Sequence, residues 1–138
     1  MFENNGFGRT VDVLHRTMDV SLLRRNVIAD NIANADTPNF KRSVVNFESE
    51  LKKALESDGE SGLEAKMTNS RHISFNRVYD YKSVGPRRVL DYLSTTDNNG
   101  NNVDLEEESM LILQNQLNYD MMSRIVSNQF SQLNLVLR

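Results

Sequence analysis

Between Thr10 and Ala35 the sequence holds no glycine or proline, and Val11, Leu14, Met18, Leu22, Ala29 and Ile32 recur at steps of three, four or seven. That spacing puts them on one face of an α-helix. A second stripe, Val13, Val20, Leu23 and Val27, falls on roughly the opposite side at 100° per residue. A single neighbour cannot cover both. The helical pattern stops at Asp36-Thr37-Pro38, because the proline ring disfavours helical backbone at Thr37 and Pro38 has no amide hydrogen to donate. The spacing therefore predicts a helix over 10–35.

The last third repeats the theme. Leu105, Ile112, Tyr119, Val126 and Leu133 are spaced by sevens, with Met122 and Val136 three residues after two of them. This is a heptad-like seam. Leu111, Leu113, Leu117, Met121, Ile125, Phe130 and Leu135 lie off it, so apolar residues occupy most of the circumference. Asp104 is placed to cap the start, with Glu107 reaching back as in a capping box, and Glu106 to Glu108 meet the positive end of the helix dipole. Capping accounts for that acidic run without any cation or acid-base role. At 1.5 Å per residue the two helices would be rods of roughly 40 and 50 Å, lengths that suit a hairpin.

Between them, from Asp36 to Val103, only Phe47, Leu51 and Leu55 give a short helical signal, and Ile73 to Tyr81 alternates like a short strand. Two stretches, 58–62 and 97–102, are polar and rich in turn formers. The expected fold is thus mainly α. Terminal helices, 10–35 and 104–138, pair as a coiled-coil hairpin, behind a flexible leader at 1–9. The middle, 36–103, is extended and mostly irregular, with one short helix and little strand. Few large apolar residues lie there to offset an ordering cost of about 1–2 kcal/mol per residue, so it is expected to become ordered only on assembly.

Composition narrows the chemistry. The protein has 138 residues, room for one core, and a formal charge of −3, which supplies no broad footprint for a phosphate backbone. It has no cysteine, which excludes disulfides, thiolate metal sites and cysteine nucleophiles. His15 and His72 stand too far apart in sequence to suggest a metal-ligand pair. The longest purely apolar run, Met110 to Leu113, is far short of the roughly 20 residues that span a bilayer. The first residues, MFENNGFGR, have neither the basic start nor the apolar stretch of a cleavable secretory signal. Gly6-Phe7-Gly8 is no phosphate cradle, and the doublets Arg24-Arg25, Lys52-Lys53 and Arg87-Arg88 are too isolated to form a nucleic-acid groove. No catalytic constellation can be named, so neither an enzyme nor a cofactor is expected.

The strongest local signal runs from Ala29 to Lys41, ADNIANADTPNFK, a helix end crowded with small residues and side-chain amides. It resembles the signature of the bacterial flagellar axial proteins, the family of rod, hook and hook-junction subunits, in which an Asn-rich helix end precedes Thr-Pro-Gly-Tyr-Lys. NFESELKKAL, MTNSRHISF, GNNVDLEEE and LNYDMMSRIVSNQF extend the resemblance, in order, over nearly the whole sequence, and narrow it to rod subunits. The main departure is Asn39-Phe40 where the family commonly has Gly-Tyr, and Asn is the non-glycine residue that best tolerates positive φ.

The resemblance implies a structural subunit of the proximal rod, packed with other rod proteins into a tubular shaft that transmits torque around the export channel. It implies a periplasmic position in the basal body and export by the flagellar type III apparatus without a cleavable signal. The implied partners are other rod proteins, the rod-base adaptor and the membrane ring; nucleic acid and membrane insertion are not among them. Assembly contacts are expected at Val11, Leu14, Met18, Asn31, Ile32, Asn34, Thr37 and Pro38, and at Leu105, Ile112, Tyr119, Met122, Val126 and Leu133. An alternative of another class is a soluble coiled-coil adaptor or secretion chaperone forming a small closed oligomer. That would need one apolar seam per helix, whereas a packed wall needs contacts all round.

Overall fold

The computed structural model describes residues 6–57, 68–69, 71–72, 79–94 and 98–137. Two long helices dominate it, α1 (Gly6–Ala33) and α3 (Leu105–Val136), with a shorter α2 (Glu48–Ser57) and two four-residue strands, β1 (Ser43–Asn46) and β2 (Arg87–Leu90), in one sheet. The mainly helical expectation holds. By packing, the protein divides into two units, one of residues 1–45 and 89–138, the other of 46–88. Residues 36–45, 89–94 and 98–103 fall in the unit that holds α1 and α3.

In that first unit α1 and α3 lie side by side and antiparallel. Phe7 meets Phe130 edge to face at 5.9 Å, the Asn115 amide donates to the Ser21 carbonyl at 2.8 Å, and Asn31 donates to Glu108 at 3.2 Å. Each pair steps up α1 as it steps down α3. The covered side of α3 follows a heptad rhythm through Glu108, Ile112, Asn115, Tyr119, Met122, Val126, Gln129 and Leu133, all buried or half-buried.

Helix bounds differ from expectation at both ends of α1. It begins at Gly6, inside the span expected as a leader. Two glycines cost a helix about 0.5–1 kcal/mol each, and the half-buried Phe7 ring against Phe130 returns a comparable amount. The helix ends at Ala33 because its last turn tightens: Asn34 N bonds the carbonyls of both Asp30 and Asn31, and Ala35 N bonds Ile32. After it, Asn39 stands at φ 61°, the left-handed turn that its replacement of glycine permits.

The second unit holds α2, with Leu51 and Ala54 buried and Phe47 buried just ahead of it. Ser57 ties α2 to the Tyr79 amide at 3.0 Å, next to a 3₁₀ turn at Tyr81–Ser83 capped by Asp80. The strand expected over Ile73 to Tyr81 falls largely outside the described residues, and at its end Tyr81 opens the 3₁₀ turn. Among the described residues, no helix is long and apolar enough to cross a membrane.

Candidate functional site

Where α1 ends, three segments distant in sequence are tied together by side-chain amides. Asn31, 1% exposed, uses both amide atoms on Ser43: Oδ1 accepts from Ser43 N and Nδ2 donates to Ser43 O, each at 2.9 Å. The amide takes the place of a neighbouring strand along the edge of β1. Asn101, wholly buried, turns its Nδ2 toward the carbonyls of Asn34, Ala35 and Thr37 at 2.9, 2.7 and 2.9 Å, and so pins the turn that follows α1. Its Oδ1 accepts from Val103 N. Asn102 accepts from Arg42 N at 2.7 Å and donates to Asp91 O and Ser94 Oγ. Backbone groups with no helical or strand partner are thereby satisfied from within the protein.

Charge completes this knot. Arg42 reaches Glu107 at 2.8 Å and Glu108 at 3.2 Å, and Glu108 is fully buried. Burial works against the Arg42 cation, but the hydrogen bond to Glu107 and the charges of Glu108, Glu107 and Asp91 outweigh it and hold the guanidinium above its ordinary range. Burial also dominates at Glu108 and pushes its carboxyl up; Asn31 and Arg42 oppose that shift, while Glu107 and Asp104 reinforce it. Asp91 is held low, chiefly by the Leu93 amide. Asp104 does cap α3, accepting from Glu106 N and Glu107 N, but the Glu107 carboxylate is turned to Arg42. The acidic run is thus more than a cap.

An open cleft of about 480 Å³ beside the knot is lined by Asp36, Arg42, Asn101, Asn102, Asp104 and Glu107 among others. Nothing in it aligns a nucleophile with a base: the carboxylates face a guanidinium and backbone amides, a bonding pattern that fastens segments together. Among the described residues, no group of His, Asp and Glu stands close enough to hold a metal ion.

The residues expected at assembly contacts fall into distinct settings. Asn31 is buried and satisfied within the subunit. Asn34 bonds its own helix at Asp30 and receives the Thr37 hydroxyl at 3.3 Å; Thr37 and Pro38 are exposed. Val11, Leu14, Met18 and Ile32 are all half-buried, while the most covered positions of α1 are Val20, Ser21, Val27, Ile28 and Asn31. Leu22, Leu23 and Ala29 belong to the apolar stripes, and Leu22 and Leu23 are 46% and 38% exposed. On α3, Ile112, Tyr119, Met122, Val126 and Leu133 are half-buried along the seam toward α1, while Leu105 is half exposed. Roughly opposite that seam runs a bare apolar stripe: Met110, Leu113, Leu117, Met121 and Ile125, from 73% to 46% exposed.

Sequence reasoning missed Arg42, Asn101, Asn102, Glu108 and Asn115. A signal for two of them was present: Glu108 and Asn115 precede Met122 at steps of seven, so they belong to the heptad as polar members. The asparagines at 101 and 102 read only as turn formers, because nothing local tells an amide aimed at a distant carbonyl from one aimed at water.

Known proteins match along nearly the whole sequence. The family model described as flagella basal body rod protein matches residues 21–41, the end of α1 and the turn that follows it. A Borreliella burgdorferi protein, flagellar basal body rod protein FlgB, is 46% identical over 134 residues, 97% of this chain and 99% of its own length. Proteins of the same name from Bacillus subtilis and Escherichia coli are 34% and 33% identical; the first match spans 95% of both sequences and the second 83% of both.

Proposed function

The chain belongs to the family of flagellar basal body rod proteins, and on that premise we propose that it is a structural subunit of the rod. The observation that carries this reading is the similarity to a named rod protein over 99% of that relative's length. The bare stripe of α3 fits it: with its seam turned to α1, the helix still has a continuous apolar face to pack against a neighbour. A closed adaptor would want that second face polar. In this reading the function is packing, and the protein performs no catalysis.

The finer placement follows the resemblance. The subunit sits in the proximal rod, in the periplasm, reached through the flagellar type III apparatus, and touches other rod proteins, the base adaptor and the membrane ring. It forms part of the wall that surrounds the export channel and passes torque outward. Contacts around a helical tube are heterologous, so the surface offered on one side of a subunit differs from that received on the other. The bare stripe on α3 is one such surface. Cells lacking this protein should be non-motile, and their purified basal bodies should end without a rod. Normal rods in such cells would sink the reading.

A further inference from the structure

We propose that Asn99 is a site of spontaneous deamidation, that the folded protein accelerates the reaction, and that its isoaspartyl product loosens the asparagine knot. The sequence has two Asn-Gly pairs, Asn5-Gly6 and Asn99-Gly100. At the second the fold demands glycine. Gly100 stands at φ +78°, and a Cβ there would come within 2.7 Å of Asn39 Oδ1. A substituent that would shield the Gly100 nitrogen is therefore disfavoured, first by the positive φ and then by the Asn39 side chain.

The exposed Asn99 side chain is held in a turn that spans the Gly100 peptide. Its Oδ1 accepts from Asn101 N at 2.9 Å, closing an Asx turn, and the hydrogen-bonded ring contains the five atoms of a succinimide: Cγ, Cβ, Cα and C of Asn99, and N of Gly100. When the Gly100 nitrogen gives up its proton to solvent base and attacks Cγ, negative charge gathers on Oδ1. The Asn101 amide already points at it. The N–Cγ bond forms, the Cγ–Nδ2 bond breaks, and Nδ2 takes a proton and leaves as ammonia. Water then opens the imide on either side. Cleavage of Cγ–N gives aspartate with the original backbone, whereas cleavage of the original peptide bond, between the Asn99 carbonyl carbon and the Gly100 nitrogen, gives isoaspartate, with the backbone rerouted through Cγ. Ammonia leaves and water is taken up, and no redox partner is needed.

The two products differ in consequence. Aspartate keeps an acceptor for Asn101 N. Isoaspartate lengthens the backbone by one methylene between residues whose carbonyls accept from Asn39 N at 3.0 Å and Lys41 Nζ at 2.7 Å. Neither register survives the insertion, and the adjoining Asn101 is drawn from the carbonyls it serves.

The test ages the purified full-length protein in mildly alkaline buffer beside a synthetic peptide of residues 97–102, and follows both by peptide mapping with isoaspartate resolved. Asn99 should convert about tenfold faster in the folded protein than in the peptide, a modest effect for an oxyanion donor. Equal or slower conversion overturns the acceleration. The isoaspartyl fraction, once isolated, should melt below both the unmodified protein and Asn99→Asp. If it melts with either of them, the claim that it loosens the knot is overturned.

Discussion

The end of α1 and the outer side of α3 dispose of their chemistry in opposite ways. At the first, Asn31, Asn101, Asn102, Arg42 and Glu108 are nearly inaccessible and direct their bonds to the backbone and to one another. At the second, Met110, Leu113, Leu117, Met121 and Ile125 leave apolar surface in water. A buried polar group left without its partner costs more than a made bond contributes, so the first region is intolerant of change inside the single subunit. An exposed leucine costs that subunit little and gains only when something covers it. The most distinctive sequence motif thus serves the fold, and the plainest apolar positions are those free to serve assembly.

The sharpest way to break this contrast is at Arg42. Arg42→Ala leaves Glu108 buried without its cation and should lower unfolding free energy by about 3–5 kcal/mol in a urea titration. Asn101→Ala removes the buried amide that pins the turn after α1 and leaves the Ala35 carbonyl without its donor, and should cost about 2–3 kcal/mol by the same measurement. Asn31→Ala comes next, at about 1–3 kcal/mol, although alanine is the better helix former. A neutral Asn31→Ala would return that residue to an ordinary helix end.

Acidity sharpens the contrast further. With its carboxyl raised above the ordinary range, Glu108 contributes stability that is fully present below the unfolded value and lost as pH rises through the folded one. Asp91 acts in the other sense, losing its contribution as pH falls through its depressed value. The advantage of the native protein over Glu108→Gln in urea midpoint should therefore shrink as pH climbs from the acid side toward neutrality. The smallest effect on the free subunit belongs to the stripe: Leu117→Lys should change unfolding free energy by less than about 0.5 kcal/mol. Its effect should fall on incorporation into the rod.

Much of the fold is legible in the sequence because helices announce themselves by period. The heptads through Ile112, Tyr119, Val126 and Leu133, the Asp104 cap and the break before Pro38 are local signals, read from neighbours within a few turns. On α1 periodicity favours bulky apolar positions, yet the covered side runs through Val20, Ser21, Val27 and Asn31. A small serine and a bonded asparagine let the helices meet there as well as a leucine would. The knot was not legible, since the residues it joins, such as Asn101 and Thr37, lie far apart in sequence and an amide has no period. Asn39 is the exception. Its substitution for glycine in the turn implied positive φ, and the backbone has it.

The absence of cysteine makes one measurement direct. Single variants Leu117→Cys and Ile112→Cys would be exposed to a maleimide reagent, first as purified free subunit and then within isolated basal bodies. Leu117→Cys should label rapidly in the free subunit and be strongly protected in the basal body, with Ile112→Cys slow in both. Equal labelling of Leu117→Cys in the two states, in basal bodies that contain the protein, would contradict the claim that the rod covers the outer face of α3.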